Sequence, residues 1–245
     1  MRRSACLIPF YNEERRINHS KFEEAFAHQN IEFYLINDGS KDKTITILNS
    51  FANQYGNVKV IDNKANVGKA EAIRRAMLEV SRNENINYMG FFDCDFATPF
   101  HEYLRLNGLI EEKNLQLIFG SRIKLYGKDI ERNGLRHYLS RIFITISNTL
   151  FGLEIYDTQC GCKIFRRDIV ETCFSAKFLS KWLFDIEVFI RLLNHHKNAA
   201  IMEEGLYEWK EIGGSKIKSS DFLKFPFQLL NLYYNYRIKK YSLKK

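Results

Sequence analysis

Asp93-Cys94-Asp95 sets two carboxylates directly behind the apolar run Tyr88-Met89-Gly90-Phe91-Phe92. The run reads as a buried strand, and Thr98-Pro99 as the N-cap and first turn of the next helix. Side chains two apart on an extended strand point the same way, so Asp93 and Asp95 are predicted to face one divalent ion. Carboxylate oxygens are hard ligands that suit Mg²⁺ or Mn²⁺, and such ions are commonly completed by water and substrate phosphates. A lone D-x-D also occurs in solvated loops and helix caps, so its weight depends on its neighbours.

Other segments offer matching chemistry. The loop Pro9-Phe10-Tyr11-Asn12-Glu13 can supply polar contacts around a nucleotide base, and Asp38 in Asn37-Asp38-Gly39-Ser40 can accept the imide N–H of a uracil ring. Gly39 permits a tight turn, with Ser40 or Asp42 capping the helix behind it; a simple turn and cap is the plainer reading of the same residues. Asn66-Val67-Gly68-Lys69 brings a cation and a helix N-terminus close to an anionic group. Arg122, Arg141, Lys163, Arg166 and Arg167 are candidate phosphate clamps, since guanidinium forks match phosphate oxygens. Asp157, Asp185 and Glu187 could orient an acceptor or act as base, and Trp182 and Trp209 read as core or lip residues.

The elements that must position these groups alternate in type. Strands are predicted over 5–9, 31–37, 58–61, 87–92 and 115–120, and helices over 20–29, 42–55, 68–82 and 99–113. Such alternation implies right-handed βαβ units and a mostly parallel, Rossmann-like sheet with helices on both faces. Ligands of these sheets sit beyond the carboxyl ends of the strands. The loops at 9–13, 37–40 and 93–95 all fall there and should share one crevice. Beyond Gly120 the alternation fades. A helix over 135–153, a loop and strand over 157–165, a helix within 181–194 and a strand over 199–203 remain. The row Leu139, Ile142, Phe143, Ile146, Leu150 and Leu153 reads as a core-facing stripe. One domain of 245 residues is expected, with 1–120 binding the donor, 121–217 the acceptor, and 218–245 forming a basic amphipathic helix.

Composition narrows the class. Hydrophobic residues make up 45% and charged residues 27%, as in a soluble globular protein. Five cysteines, an odd number without zinc-site spacing, point to reduced thiols and a cytoplasmic location. No secretory signal and no apolar stretch of the ~20 residues needed to span a bilayer is apparent. The net charge of +8 is concentrated in residues 216–245, where eight Lys/Arg face only Asp221. Interleaved with Phe225, Phe227, Leu230 and Tyr234, this tail suits an anionic membrane surface, equally with a helix packed on the domain. Nucleic acid is not expected as a partner, because the rest of the chain is nearly neutral and carries no such motif.

Together, 8–14 (IPFYNEE), 37–44 (NDGSKDKT), 66–70 (NVGKA) and Asp93-Cys94-Asp95 resemble the donor half of glycosyltransferase family 2, enzymes of the glycosyltransferase A fold. The segments 119–122 (FGSR), 157–165 (DTQCGCKIF), 182–187 (WLFDIE) and 209–217 (WKEIGGSKI) look like those of dolichyl-phosphate β-glucosyltransferases. The resemblance covers residues 5–217. It implies that Pro9, Tyr11, Glu13, Asp38, Lys69 and Asp93 bind a nucleotide sugar. It implies further that Asp93 contacts the ribose or metal, and that Asp95 ligates a Mg²⁺ or Mn²⁺ ion bridging the diphosphate. Asp95, Asp157 and Asp185 become the catalytic candidates, and Arg122, Arg141 and Lys163 the acceptor-phosphate candidates. Eukaryotic members carry an N-terminal membrane anchor that this sequence lacks, which would leave peripheral attachment at the cytoplasmic membrane face to the C-terminal tail.

The expected activity is inverting transfer of glucose from UDP-glucose to a polyprenyl phosphate. Alternatives are another donor such as GDP-mannose, a surface-glycan acceptor, or a non-catalytic membrane-associated relative. A dinucleotide-dependent oxidoreductase or a P-loop NTPase is disfavoured. No G-x-G-x-x-G follows the first strand, and Gly68-Lys69 runs into Ala70 with Asn63 at the position of the P-loop glycine.

Overall fold

The computed structural model describes residues 3–132, 134–212 and 219–239. Its first half is β1 (Arg3–Phe10), α1 (His19–Phe26), β2 (Ile31–Asp38), α2 (Thr44–Gln54), β3 (Val58–Asn63), α3 (Lys69–Val80), β4 (Ile86–Phe92), α4 (Phe100–Glu112) and β5 (Leu117–Ser121). The second half adds β6 (Asp129–Glu131), α5 (Gly134–Phe151), β7 (Cys162–Arg166), α6 (Val170–Phe174), α7 (Phe184–His195), β8 (Ile201–Gly205), β9 (Glu208–Lys210) and α8 (Ser219–Tyr233). A π-helical turn, Tyr234–Ile238, continues α8.

Seven strands form one sheet in the order β3-β2-β1-β4-β7-β5-β8, and β6 pairs with β9 beside it. All neighbours in the large sheet are parallel except β7, which runs antiparallel between β4 and β5. The strands are nearly continuous in apolar residues because both faces are covered. Residues of α1, α2 and α4 pack one face, where Phe22, Phe26 and Phe51 meet one another and Phe33 meets Phe26. Residues of α3, α6 and α7 pack the other.

The chain leaves β1 toward β2 on one side and β4 on the other, so the winding reverses there. That reversal opens a crevice at the carboxyl ends of β2, β1 and β4, where the sequence placed it. Two local expectations change. The strand before Asp93 ends at Phe92, so Asp93-Cys94-Asp95 is a turn rather than strand. Pro99, not Thr98, is the N-cap of α4.

The row assigned to the core also divides. Leu153 is buried and Phe143 and Leu150 pack partly buried against the core, whereas Ile142 and Ile146 face outward. Residues 213–218, which hold the end of the WKEIGGSKI segment, and 240–245 of the basic tail lie outside the described residues.

Candidate active site

The loops after β1 and β2 are tied to each other. Asn12 N donates to Ser40 Oγ at 3.0 Å and Lys41 N to Asn12 Oδ1 at 2.8 Å. Glu13 N donates to Thr44 Oγ1 at 2.9 Å, Glu14 N to Asp42 Oδ2 at 3.2 Å, and Lys43 N to Glu14 Oε2 at 3.1 Å across the same seam. Asn12 sits at φ 52°, a left-handed conformation that asparagine tolerates. The result is a cleft lined by Asn12, Glu14, Arg15, Arg16, Lys41 and Asp42. Pro9 and Tyr11, just before Asn12 in the chain, are half-buried.

Asp38 is buried, and its carboxylate accepts from Val67 N and Gly68 N at 2.9 Å each and from Asn66 Nδ2 at 3.0 Å. It therefore fastens the start of α3 to the end of β2, with three of its about four lone-pair sites used by these bonds. Gly39, at φ 66°, lets this turn close, since a Cβ there would sit 2.4 Å from the Ala65 carbonyl carbon. Asp42, rather than Ser40, accepts from Thr44 N at the start of α2.

Fixing α3 in this way aims its first residue at the D-x-D turn. Lys69 Nζ lies 2.5 Å from Asp93 Oδ1. Arg16 bridges the two loops, 3.3 Å from Glu13 Oε2 and 3.7 Å from Asp95 Oδ2. Asp95 Oδ1 also accepts from Ala97 N at 3.0 Å, and Phe96 closes the turn at φ 54°. That strained phenylalanine is held by edge contacts to Phe22 and Phe92. Opposite, Gly161 lies so close that a Cβ would be 2.0 Å from Asp93 Oδ2. Partial burial, and then the Asp93 charge, push the Asp95 carboxyl above the usual carboxylate range.

A divalent cation fits this turn. Two hard carboxylates repel each other there, and each already has a side-chain cation beside it. Among the described residues no third His, Cys, Asp or Glu completes a metal-binding group, so further ligands would have to be donor phosphate oxygens and water.

The second half of the chain supplies the opposite wall. Arg122 grips Asp157 with Nε and Nη2 at 2.7 and 2.8 Å. Burial alone would raise the Asp157 carboxyl, but Arg122 outweighs it and holds the group well below the usual range. Glu203 in turn accepts from Tyr156 N and Asp157 N at 2.7 Å each. Two guanidinium groups lie near the Trp209 ring, Arg122 at 5.2 Å and Arg132 at 6.0 Å from its centroid. Arg141 donates to the Tyr156 carbonyl at 2.8 Å and covers the Tyr156 ring. Lys163, fully buried, donates to Cys160 O and to Asp185 Oδ1, both at 2.6 Å. Burial pushes the Asp185 carboxyl up, and the charges of Lys163, Lys69 and Asp93 act on it, which puts Asp185 within electrostatic reach of the D-x-D turn.

Comparison with known sequences agrees with this architecture. Residues 5–174 match the profile of glycosyl transferase family 2. The chain belongs to that family. A Trichomonas vaginalis relative, dolichyl-phosphate β-glucosyltransferase ALG5C, is 31% identical over 97% of this chain and 73% of its own length. The Dictyostelium discoideum dolichyl-phosphate β-glucosyltransferase is 30% identical over 98% and 76%, and the Homo sapiens one 30% identical over 87% and 69%. Among solved structures, glucosyl-3-phosphoglycerate synthase of Mycobacterium tuberculosis with UDP superposes with a TM-score of 0.68 at 14% identity, covering 95% of this chain and 80% of its own. At that identity the likeness shows the glycosyltransferase A fold. The same enzyme has also been solved with Mn²⁺ and with Mg²⁺.

Within this family 2 chain the structure redistributes several sequence-derived roles. Pro9, Tyr11, Glu13, Asp38, Lys69, Asp93 and Asp95 lie on the loops that meet at the carboxyl ends of β1, β2 and β4 and at the start of α3. Lys163 is sealed from solvent, so contact with an acceptor phosphate gives way to holding Asp185. Asp157 has both carboxylate oxygens committed to Arg122, with Gln159 N added at 3.2 Å, so it positions rather than reacts. Glu187 is buried between Arg191, Tyr236 and Leu179 N and is structural. Arg166 pairs with Asp168 opposite Tyr88, at the amino-terminal edge of the sheet, away from the site. The sequence reading missed Arg16, Arg132 and Glu203. Arg16 alone left a local signal, three residues after Glu13.

Proposed function

We propose that this enzyme is an inverting, metal-dependent hexosyltransferase that moves glucose from UDP-glucose to a polyprenyl phosphate. The observation that carries it is the meeting, at one rim, of the Asp93/Asp95 turn with Lys69 on the donor side and Asp185 and the Arg122–Asp157 pair on the other. The names of the relatives supply the sugar and the lipid; the uridine reading adds the free lone-pair site on Asp38 beside the Asn12–Asp42 cleft.

In this reading residues 1–120 bind the donor, 121–217 receive the acceptor, and 218–245 hold the enzyme peripherally at the cytoplasmic membrane face. Asp93 and Asp95 would hold Mg²⁺ or Mn²⁺, which neutralises charge on the departing diphosphate when bound. Lys69 adds a second cation beside Asp93. Asp185 lines the floor where the sugar would lie, and Arg132 and Arg141 face the acceptor phosphate.

A phosphomonoester has a second pKa of ~6 and is already a dianion at neutral pH, so no strong base is needed. Its oxygen attacks the anomeric carbon from the face opposite the diphosphate. The bond from that carbon to the diphosphate oxygen breaks, and UDP leaves with its electron pair. One displacement inverts the configuration, and no proton has to be relayed.

The test is nucleoside diphosphate release from a panel of nucleotide sugars, with Mn²⁺ or EDTA and a short polyprenyl phosphate. Metal-dependent turnover of UDP-glucose with a β-linked lipid product is expected. Preference for GDP-mannose, or turnover only with a glycan acceptor, would replace the respective assignment.

A further inference from the structure

The outer face of α5 and α8 is apolar where a water-facing surface would be polar. On α5, Tyr138, Ile142 and Ile146 follow one another at four-residue steps and are 43 to 70% exposed. On α8 and its π-helical continuation, Phe227, Leu230, Tyr234 and Ile238 repeat at helical spacing and are 47 to 74% exposed. Each stripe is opposite a buried row, Ile144, Ser147 and Phe151 on α5 and Phe225, Leu229, Leu232 and Tyr236 on α8. Phe143 meets Phe225 with ring centroids 3.8 Å apart, and further along Phe151 meets Tyr233 at 6.2 Å. The helices therefore run side by side in the same direction, and their outward stripes lie next to each other across that seam.

We propose that this two-helix face docks on an anionic lipid leaflet, with the exposed rings and aliphatic side chains at the boundary between headgroups and acyl chains. Charge selects this occupant. There is no acidic residue from 134 to 151 and none from 222 to 245. Lys224, Arg237 and Lys239 are exposed along α8 and the turn after it, and Lys239 Nζ lies 5.2 Å from the Tyr234 ring. Basic residues bordering an apolar stripe favour anionic headgroups. A second copy of the chain would bring the same positive charge to the same face.

The frame behind the surface is rigid. Tyr236 donates to Glu187 Oε1 at 2.8 Å and accepts from Arg191 Nε at 2.9 Å, which pins the end of α8 to α7. Both helices also touch the acceptor wall. Arg141 on α5 holds the Tyr156 carbonyl next to Asp157, and Gln228 on α8 accepts from Ser180 ahead of Asp185. Docking through this face would bring the acceptor wall to the leaflet. That orientation rests on the lipid-acceptor reading; the docking itself does not. The surface enlarges the tail-only attachment by a helix whose exposed residues the sequence assigned to the core.

The experiment is flotation of the full chain with vesicles of phosphatidylcholine alone or with added phosphatidylglycerol. Wild type is expected to float with the anionic vesicles, and Ile142→Asp with Leu230→Asp to lower partitioning by ~tenfold or more. The polar pair Ile142→Ser with Phe227→Ser reads the same face with less risk to folding. Both variants should keep turnover of a short, water-soluble isoprenyl phosphate while losing turnover of a long-chain acceptor in vesicles. Wild type that stays in solution, or variants that float equally well, would overturn the proposal. So would a wild-type dimer that the substitutions split, because the face would then belong to a second copy. Flotation without turnover of any acceptor would sink the transferase reading and leave the docking face standing.

Discussion

Lys163 Nζ lies 2.6 Å from Asp185 Oδ1, with the lysine entirely shielded from solvent. Removing one member of such a pair strands the other charge in a low-dielectric interior. Lys163→Met and Asp185→Asn are each expected to lower stability by about 3–5 kcal/mol in urea unfolding. The double variant should recover much of that loss, because the two sites are coupled. Turnover should stay lost in the double variant despite its regained stability; recovery there would remove Asp185 from the chemistry.

With Asp95 as a metal ligand, an acid-sensitive response to Mn²⁺ is expected. Its folded-state pKa is raised, so the stability it contributes is fully present below the unfolded value of about 3.9 and is lost as pH rises through the folded value. Neutral pH is thus where the ionised Asp95 opposes folding of the metal-free protein. Asp95→Asn should raise the metal-free Tm at pH 7 while abolishing the Tm increase given by Mn²⁺ with UDP. In wild type that increase should fade on acidification at a higher pH than an ordinary aspartate would give. Melting curves across pH 4–7, with and without Mn²⁺ and UDP, read both effects; an unaltered Mn²⁺ response in Asp95→Asn would refute the ligand assignment.

The βαβ half of this fold was legible because its apolar runs have the period and length of buried strands and are bounded by Gly, Asn and Asp turns. The same pattern located Asp38 and Asp93 at strand ends, and so the crevice. What the sequence could not carry is non-local. Lys163 looked available because a lysine on a five-residue strand gives no sign that the strand will be sandwiched between two others. Arg132 lies in a stretch with no periodicity, and its place beside Trp209 depends on the β6–β9 pairing. On α5 the apolar residues occupy both sides of the helix, so periodicity could not tell which side faces the core.

Arg132 is set against another cation. Burial, followed by the charge of Arg122, lowers its pKa, and its hydrogen bond to the Arg122 carbonyl, at 3.4 Å, is long. An arriving dianion would relieve that repulsion. Arg132→Gln is expected to raise the acceptor KM about tenfold or more, the worth of a charged hydrogen bond, with the donor KM unchanged. Equal increases in both would assign Arg132 to the donor side.

Gly161 is the spacer behind Asp93. A methyl group at this position would overlap Asp93 Oδ2, so Gly161→Ala must displace the carboxylate. Affinity for Mn²⁺ with UDP should drop about tenfold, the cost of weakening one charge-assisted contact, with little change in urea midpoint. Calorimetric titration decides it, and an unchanged Kd would show that Asp93 is dispensable for holding the ion.

The antiparallel β7 has a consequence for synthesis. It bonds to β4 on one side and β5 on the other, yet it is made more than forty residues after β5 ends. A nascent chain that has just completed β5 holds all the loops of the β1, β2 and β4 rim but has a gap through the middle of its own scaffold. Cutting the gene after residue 121 would leave the β4 edge and both edges of β5 unpaired. Ribosomal pausing in the stretch before Cys162 would extend the lifetime of that aggregation-prone species.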